Sequence, residues 1–228
     1  ASFNGGAGTT AINGGSITTS GTQTYNGAVT LGANTTLVST GSDASGAINL
    51  ANTVNGNFAL TVNTAGATTF GAAVGGTNAL TSVTTDSAGS VAINGGSVRT
   101  SGAQTYNDAA TLGANTAFTT DNNHLVFGST LNSAASARTL NANVGSGNVT
   151  FTGTVGNNLA LGNTNITAGT VTNSNTWLGN GSYAITGAGV FNGAVSGITS
   201  LSVSGTSTIA ANISSCLLYT SPSPRDRG

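Results

Sequence analysis

The chain has 228 residues, a formal net charge of −1 and charged side chains at only 4% of positions, with Gly at 35. A surface this neutral has no electrostatic footprint for nucleic acid or anionic membrane, and a single Cys excludes a disulfide framework. With 37% hydrophobic residues the chain also lacks the low hydrophobicity and high net charge of disorder, and no apolar run approaches the roughly 20 residues of a membrane helix.

Along the chain, the first organised block is Ala11–Leu37, AINGGSITTSGTQTYNGAVTLGANTTL. It returns as Ala92–Phe118, AINGGSVRTSGAQTYNDAATLGANTAF, with 20 of 27 positions identical. Self-similarity at a fixed offset marks a repeat architecture. A finer beat runs beneath it: an aromatic followed four positions on by a small apolar residue. The pairs are Tyr25…Val29, Phe70…Val74, Tyr106…Ala110, Phe151…Val155 and Phe191…Val195, with Leu50…Val54 and Phe127…Leu131 as weaker copies. Asn26, Asn107 and Asn192 follow three of these aromatics and are expected to form a ladder whose amides bond from unit to unit.

Apolar residues two apart recur at Val29-x-Leu31, Ile48-x-Leu50, Leu60-x-Val62, Val91-x-Ile93, Val149-x-Phe151, Leu159-x-Leu161 and Leu201-x-Val203. Alternation of this kind is the strand signature, and the Asn-Gly, Gly-Gly and Ser-Gly pairs between them supply tight turns. Units this short, roughly 20–25 residues, cannot bury a hydrophobic face alone and must stack on their neighbours. The expectation is an all-β, right-handed parallel β-helix (β-solenoid) over residues 1–215. Each coil takes about 20–25 residues, a length typical of short solenoid repeats. Nine or ten coils are expected, with about four to each copy of the long repeat. At an interstrand spacing of about 4.8 Å the stack is a rod on the order of 45 Å long.

Cys216–Gly228 reads CLLYTSPSPRDRG and departs abruptly from what precedes it. It holds the only Cys, both Pro residues and two of the four Arg, whereas residues 1–215 contain no Cys, Pro, Met, Lys or Glu. Residues 216–226 resemble a translated sequencing adapter. Residues 216–228 are therefore expected to be a non-native, disordered tail, and 1–215 a fragment of a longer protein.

Candidate chemistry is sparse. His124 is the only histidine, and no second His or native Cys exists to complete a metal site with Asp121, so it reads as a solvated turn residue. Asp86 and Asp121 each follow a Thr-Thr pair and read as turn carboxylates bonding their own backbone. Asp43 and Asp108 are isolated in the sequence. Between the repeats Thr18 becomes Arg99 and Gly27 becomes Asp108, substitutions expected at solvent-facing or turn positions. Arg138 reads as a loop residue and Trp177 as part of the core. No catalytic residue, cofactor or metal is expected; the positions that matter structurally are Tyr25, Asn26, Val29, Phe70, Val74, Tyr106, Asn107, Phe151, Val155, Phe191, Asn192 and Val195.

The block from Gly21 to Leu37 and the stretch Thr68–Val74 resemble the β-strand repeats of large bacterial surface exoproteins, the filamentous-haemagglutinin-like and autotransporter-like adhesins. The resemblance covers essentially all of 1–215. It implies an extracellular or cell-surface stalk without catalysis, with host or neighbouring-cell surface glycans and proteins as partners of the whole adhesin. Homotypic association is a further implied contact, with no nucleic acid and no insertion of this segment into a membrane. An ice-binding solenoid is the alternative. Thr22-x-Thr24, Thr150-x-Thr152-x-Thr154 and Thr170-x-Thr172 point that way, but these pairs do not recur at a constant place in each unit. A β-helical polysaccharide-degrading enzyme is the third reading, and it requires several of the scattered charges to meet in one cleft.

Overall fold

The structure, a computed structural model, describes residues 2–3 and 8–215; the tail from Cys216 lies outside the described residues. Every strand pairing is parallel, and each strand bonds to the strand one turn of the chain earlier and one turn later, giving a β-solenoid of about 10 turns. A parallel ladder requires the chain to travel back to its start before pairing, and here the other two faces of the coil make that journey.

The coil is three-sided. Face 1 begins at Thr9–Ile12 and continues through Ala28–Leu31, Val54–Asn55, Ser97–Arg99, Thr116–Thr119 and Leu140–Asn143 to Ser200–Val203. Face 2 begins at Ser16–Thr19 and runs through Thr35–Ser42, Ala59–Ala65, Ser82–Thr85, Gln104–Tyr106, Leu125–Phe127 and Asn148–Phe151 to Ser207–Ile209. Face 3 comprises Gln23–Tyr25, Ile48–Leu50, Ala67–Phe70, Ser90–Ile93, Ala109–Leu112 and Leu131–Ser133, then Trp177–Leu178, Val195–Ile198 and Ile213–Ser215. Single bridges at Val74 and Val155 carry faces 1 and 3 across coils without a full strand.

Alternation along each strand turns one side chain in two toward the axis, so like residues stack in columns. Val29, Val54, Val74 and Val98 form one on face 1; Tyr106, Phe127 and Phe151 form another on face 2, all essentially inaccessible to solvent. In the latter the rings stack at 5.3 and 5.5 Å, and Phe118 meets Tyr106 and Phe127 edge-on. Trp177 lies in the core, stacked on Tyr183 at 4.4 Å and edge-on to Phe151. Tyr25, Phe70, Phe191 and Val195 are buried as well.

The repeat is not a whole number of coils. The first copy places its strands on faces 1, 2, 3, 1 and 2; the second copy places the matching strands on faces 3, 1, 2, 3 and 1. The step from Ala11 to its counterpart Ala92 thus spans three coils plus two faces, rather than four coils. Tyr25 and Phe70 lie on face 3, whereas Tyr106, Phe151 and Phe191 lie on face 2. The unit being copied is a strand with its corner, one third of a turn, and the three faces accept the same sequence. The loop after Phe70 shows this again. Gly75 and Gly156 are separated by the same offset as the two copies, and both have positive φ (71° and 75°). At each, a Cβ would run into a carbonyl of the next coil, that of Arg99 or Leu178.

Two smaller corrections follow from the register. Coil length is uneven: the step from Val29 to its partner Val54 is among the long ones, and that from Asn173 to Phe191 falls below the expected range. The short coils arise because Thr164–Asn173 and Ser182–Phe191 each cross a corner as one continuous ten-residue strand with no excursion between faces. Leu159-x-Leu161 is not a strand: Leu159 lies in a bend and only Leu161 makes a bridge, to Gly179.

Replacing Phe127 by Ala empties the middle of the aromatic stack. The expected loss is about 3–5 kcal/mol in urea unfolding, compared with a surface control such as Thr111→Ala near zero.

Candidate functional site

The corners carry the polar chemistry that alternation hides. Gln23 is fully buried; its amide nitrogen reaches the Val38 carbonyl at 2.8 Å, the Ile17 carbonyl at 3.3 Å and Thr19 Oγ1 at 3.2 Å, and its Oε1 accepts the Tyr25 hydroxyl at 2.8 Å. Gln104 reproduces every contact one face away, reaching the Thr119 carbonyl (2.9 Å), the Val98 carbonyl (3.2 Å) and Thr100 Oγ1 (3.2 Å), with the Tyr106 hydroxyl donating to Oε1 at 3.2 Å. One amide therefore joins two coils at a corner. Burial pushes the Tyr25 hydroxyl up to about 12 and raises those of Tyr106 and Tyr183 further, so all three remain neutral donors. The signal was present in sequence: Gln23-x-Tyr25 and Gln104-x-Tyr106 are period-two pairs that put Gln on the inward side.

Asp108 lies at a turn, as expected, but it does not face solvent. It is 1% exposed and points inward at the corner after Tyr106, and its counterpart Gly27 is buried too, so this position faces the core in both copies. Neither carboxylate oxygen has a hydrogen-bond partner of ordinary geometry, nor does the buried Thr85 hydroxyl beside it. Burial first, and the neighbouring Asp86 second, push the carboxyl up to about 7, against a smaller lowering influence of Thr85. Asp86 bonds the preceding coil, not its own backbone, accepting the Thr64 amide at 3.1 Å. The two carboxylates thus repel one another across adjacent coils.

The remaining charged groups stay apart: among the described residues there is no ion pair and no cluster of three or more His, Cys, Asp or Glu. Arg99 is exposed, while Arg138 is half-buried in a loop, its Nε without a partner and its backbone amide bonded to Ser133 Oγ. Asp43 is exposed at the start of a 3-10 turn, and Asp121 is exposed beside Asn122. His124 is exposed, but its Nδ1 accepts the Asn148 amide of the next coil at 3.1 Å.

That contact belongs to a wider pattern. Asn34, Asn55, Asn115, Asn122, Asn132 and Asn163 each use Oδ1 to accept a backbone amide about one coil further on, at 2.9–3.1 Å. At corners, where strands diverge, these side chains continue the ladder by supplying acceptors to those amides. The expected ladder of Asn26, Asn107 and Asn192 does not form as one column. Asn107 donates to the Thr85 carbonyl at 2.9 Å, whereas Asn26 and Asn192 are exposed.

Outside, the faces differ. The central outward rank of face 2 runs, coil by coil, Ser16, Thr36, Thr61, Thr84, Thr105, Val126, Thr150, Thr172, Val190 and Thr208. Thr fills this place in seven of the ten units, Thr150 and Thr172 among them, whereas Thr24 lies on face 3, and uneven coil length conceals the rank in the sequence. On face 1, Ala117, Asn141, Asn165 and Ala184 stack beside Thr119, Asn143, Thr167 and Thr186, lining a shallow groove of about 310 Å3. Asn165 donates to Asn141 Oδ1 within it at 2.9 Å. No described helix is long and apolar enough to cross a membrane. Compared with protein-family models, with curated proteins and with solved structures, the chain matches none.

The corners can be probed one at a time. Gln104→Leu leaves the Tyr106 hydroxyl without its buried acceptor, removes the amide's bonds to the Val98 and Thr119 carbonyls, and is expected to cost about 1–3 kcal/mol in denaturant unfolding. For Asp108, the folded state holds a proton between about pH 4 and pH 7 that the unfolded chain releases, so stability falls as pH rises through that window. Asp108→Gly, which copies Gly27, is expected to flatten that decline in urea midpoint and to exceed the parent protein's stability at pH 8.

Proposed function

We propose that this chain is a stalk segment of a secreted or cell-surface bacterial adhesin, a spacer without catalysis. The observation that carries the reading is the uniform stack: about 10 coils share columns of like residues, and each coil adds both core and backbone ladder. Stability in such a rod is a sum of nearest-neighbour terms, so length can grow without a new fold. Lack of Lys, Glu and native Cys suits a chain exported unfolded and folded outside. Contact with host or neighbouring-cell glycans and proteins belongs to the whole adhesin, with homotypic association along exposed Thr, Ser and Asn ranks as a multivalent supplement.

In this reading the Asp86–Asp108 corner is structural. Asp108 is buried and offers a substrate no approach, which weighs against the polysaccharide-degrading alternative. An antibody raised against residues 8–215 is expected to label intact cells that express the gene. Labelling confined to permeabilised cells would overturn the surface assignment, and glycan hydrolysis lost in Asp86→Asn would overturn the spacer role.

A further inference from the structure

We propose that the outward rank of face 2 is a binding surface for ordered water, the lattice face of ice. Ten coils contribute one position each: seven Thr, one Ser and two Val. Parallel in-register pairing repeats the position at about 4.8 Å, so the rank is a row of methyl and hydroxyl groups at one spacing. Thr and Val are β-branched and stiff at χ1, which fixes where each methyl points.

These hydroxyls differ from those of the corner threonines. Thr19, Thr35, Thr64, Thr100, Thr116 and Thr120 donate to backbone carbonyls at corners. Among the described residues, no rank hydroxyl bonds to protein, and the rank is half-buried along the rod and exposed at its two ends. Its donors and acceptors are committed to solvent at fixed positions. A row that holds water on hydroxyls and clathrates it over methyls presents a template for a crystalline water layer.

Strand propensity alone does not produce the rank, because it would populate all three faces alike. The corresponding rank of face 3 reads Thr24, Asn49, Thr69, Ala92, Thr111 and Asn132. That of face 1 includes Ala117, Asn141, Asn165, Ala184 and Ser202. Where the repeat carries a strand off face 2, Thr36 becomes Ala117. Beside the rank lie Ala59, Ser82, Asn148, Thr170 and Ala188, small or uncharged, with His124 bonded to the Asn148 amide in the same flanking row. A row without aromatic or charged side chains suits water better than a sugar chain, which is held by stacking and directional polar contacts. The inference is independent of the stalk reading, since a stalk needs no particular residue on its outer face.

The test is ice recrystallisation and thermal hysteresis with the full chain against an equal concentration of albumin. The chain is expected to keep ice grains small and to shape crystals. Thr105→Lys and Thr150→Lys interrupt the row and are expected to lose about tenfold or more in potency, because an array binds through its contiguous length. Thr111→Lys on face 3 and Thr167→Lys on face 1 are expected to match the parent. Thr105→Val keeps shape and methyl and supplies a second rank variant should a Lys variant melt early by circular dichroism. Grain growth equal to albumin overturns the inference, as does equal loss in the face 1 and face 3 variants. Retention on an insoluble polysaccharide without effect on ice also overturns it.

Discussion

Everything in this molecule depends on the parallel backbone ladder between successive coils. Its spacing of about 4.8 Å is fixed by the N–H to carbonyl bond, so whatever a residue does in one coil its neighbour must tolerate one step away. Inward, this favours columns of like shape: Val on Val, and Tyr106, Phe127 and Phe151 ring on ring. At corners, where strands separate, the ladder is continued by side chains, chiefly Asn, with His124 taking the same part once. Outward, it aligns whatever the sequence supplies into rows. Core, corners and surface are three consequences of one repeated bond.

The same constraint explains why the faces are interchangeable. A short strand followed by a Gly- or Asn-containing corner satisfies the ladder equally well on any side. The long duplication can therefore return out of phase by one face and still find suitable neighbours. Gln23 and Gln104 make this concrete. Their strands lie on different faces, yet each amide finds the carbonyls of the strand one corner back and of the coil after it. What a duplication must preserve is the local triangle of Gln, Tyr and Thr, not the side of the rod.

Period-two apolar pairs and the self-copying block were sufficient to read an all-β stacked repeat, because burial on a pleated strand leaves that alternation in the sequence. Register was not readable. Coils as unequal as Val29 to Val54 and Asn173 to Phe191 destroy any constant spacing, which hides both the phase of the repeat and the Thr-rich rank of face 2. Asp108 was misread for a related reason. A Gly-to-Asp difference looks like a tolerant surface site, and only the fold shows that Gly27 faces the core. The buried Gln residues carry no apolar signal of their own, and only their spacing from Tyr places them inward.

The register sets the repeat out of phase with the coil. Cysteine pairs in a Cys216→Ser background test it directly, since a disulfide requires Cα atoms within about 7 Å. Thr24 pairs with Asn49 in this register, whereas uniform short coils, four to the repeat, would place Thr24 beside Ala44. Under mild oxidation, Thr24→Cys with Asn49→Cys is expected to cross-link within the monomer, and Thr24→Cys with Ala44→Cys is not. Cross-linking of the second pair without the first would overturn this register.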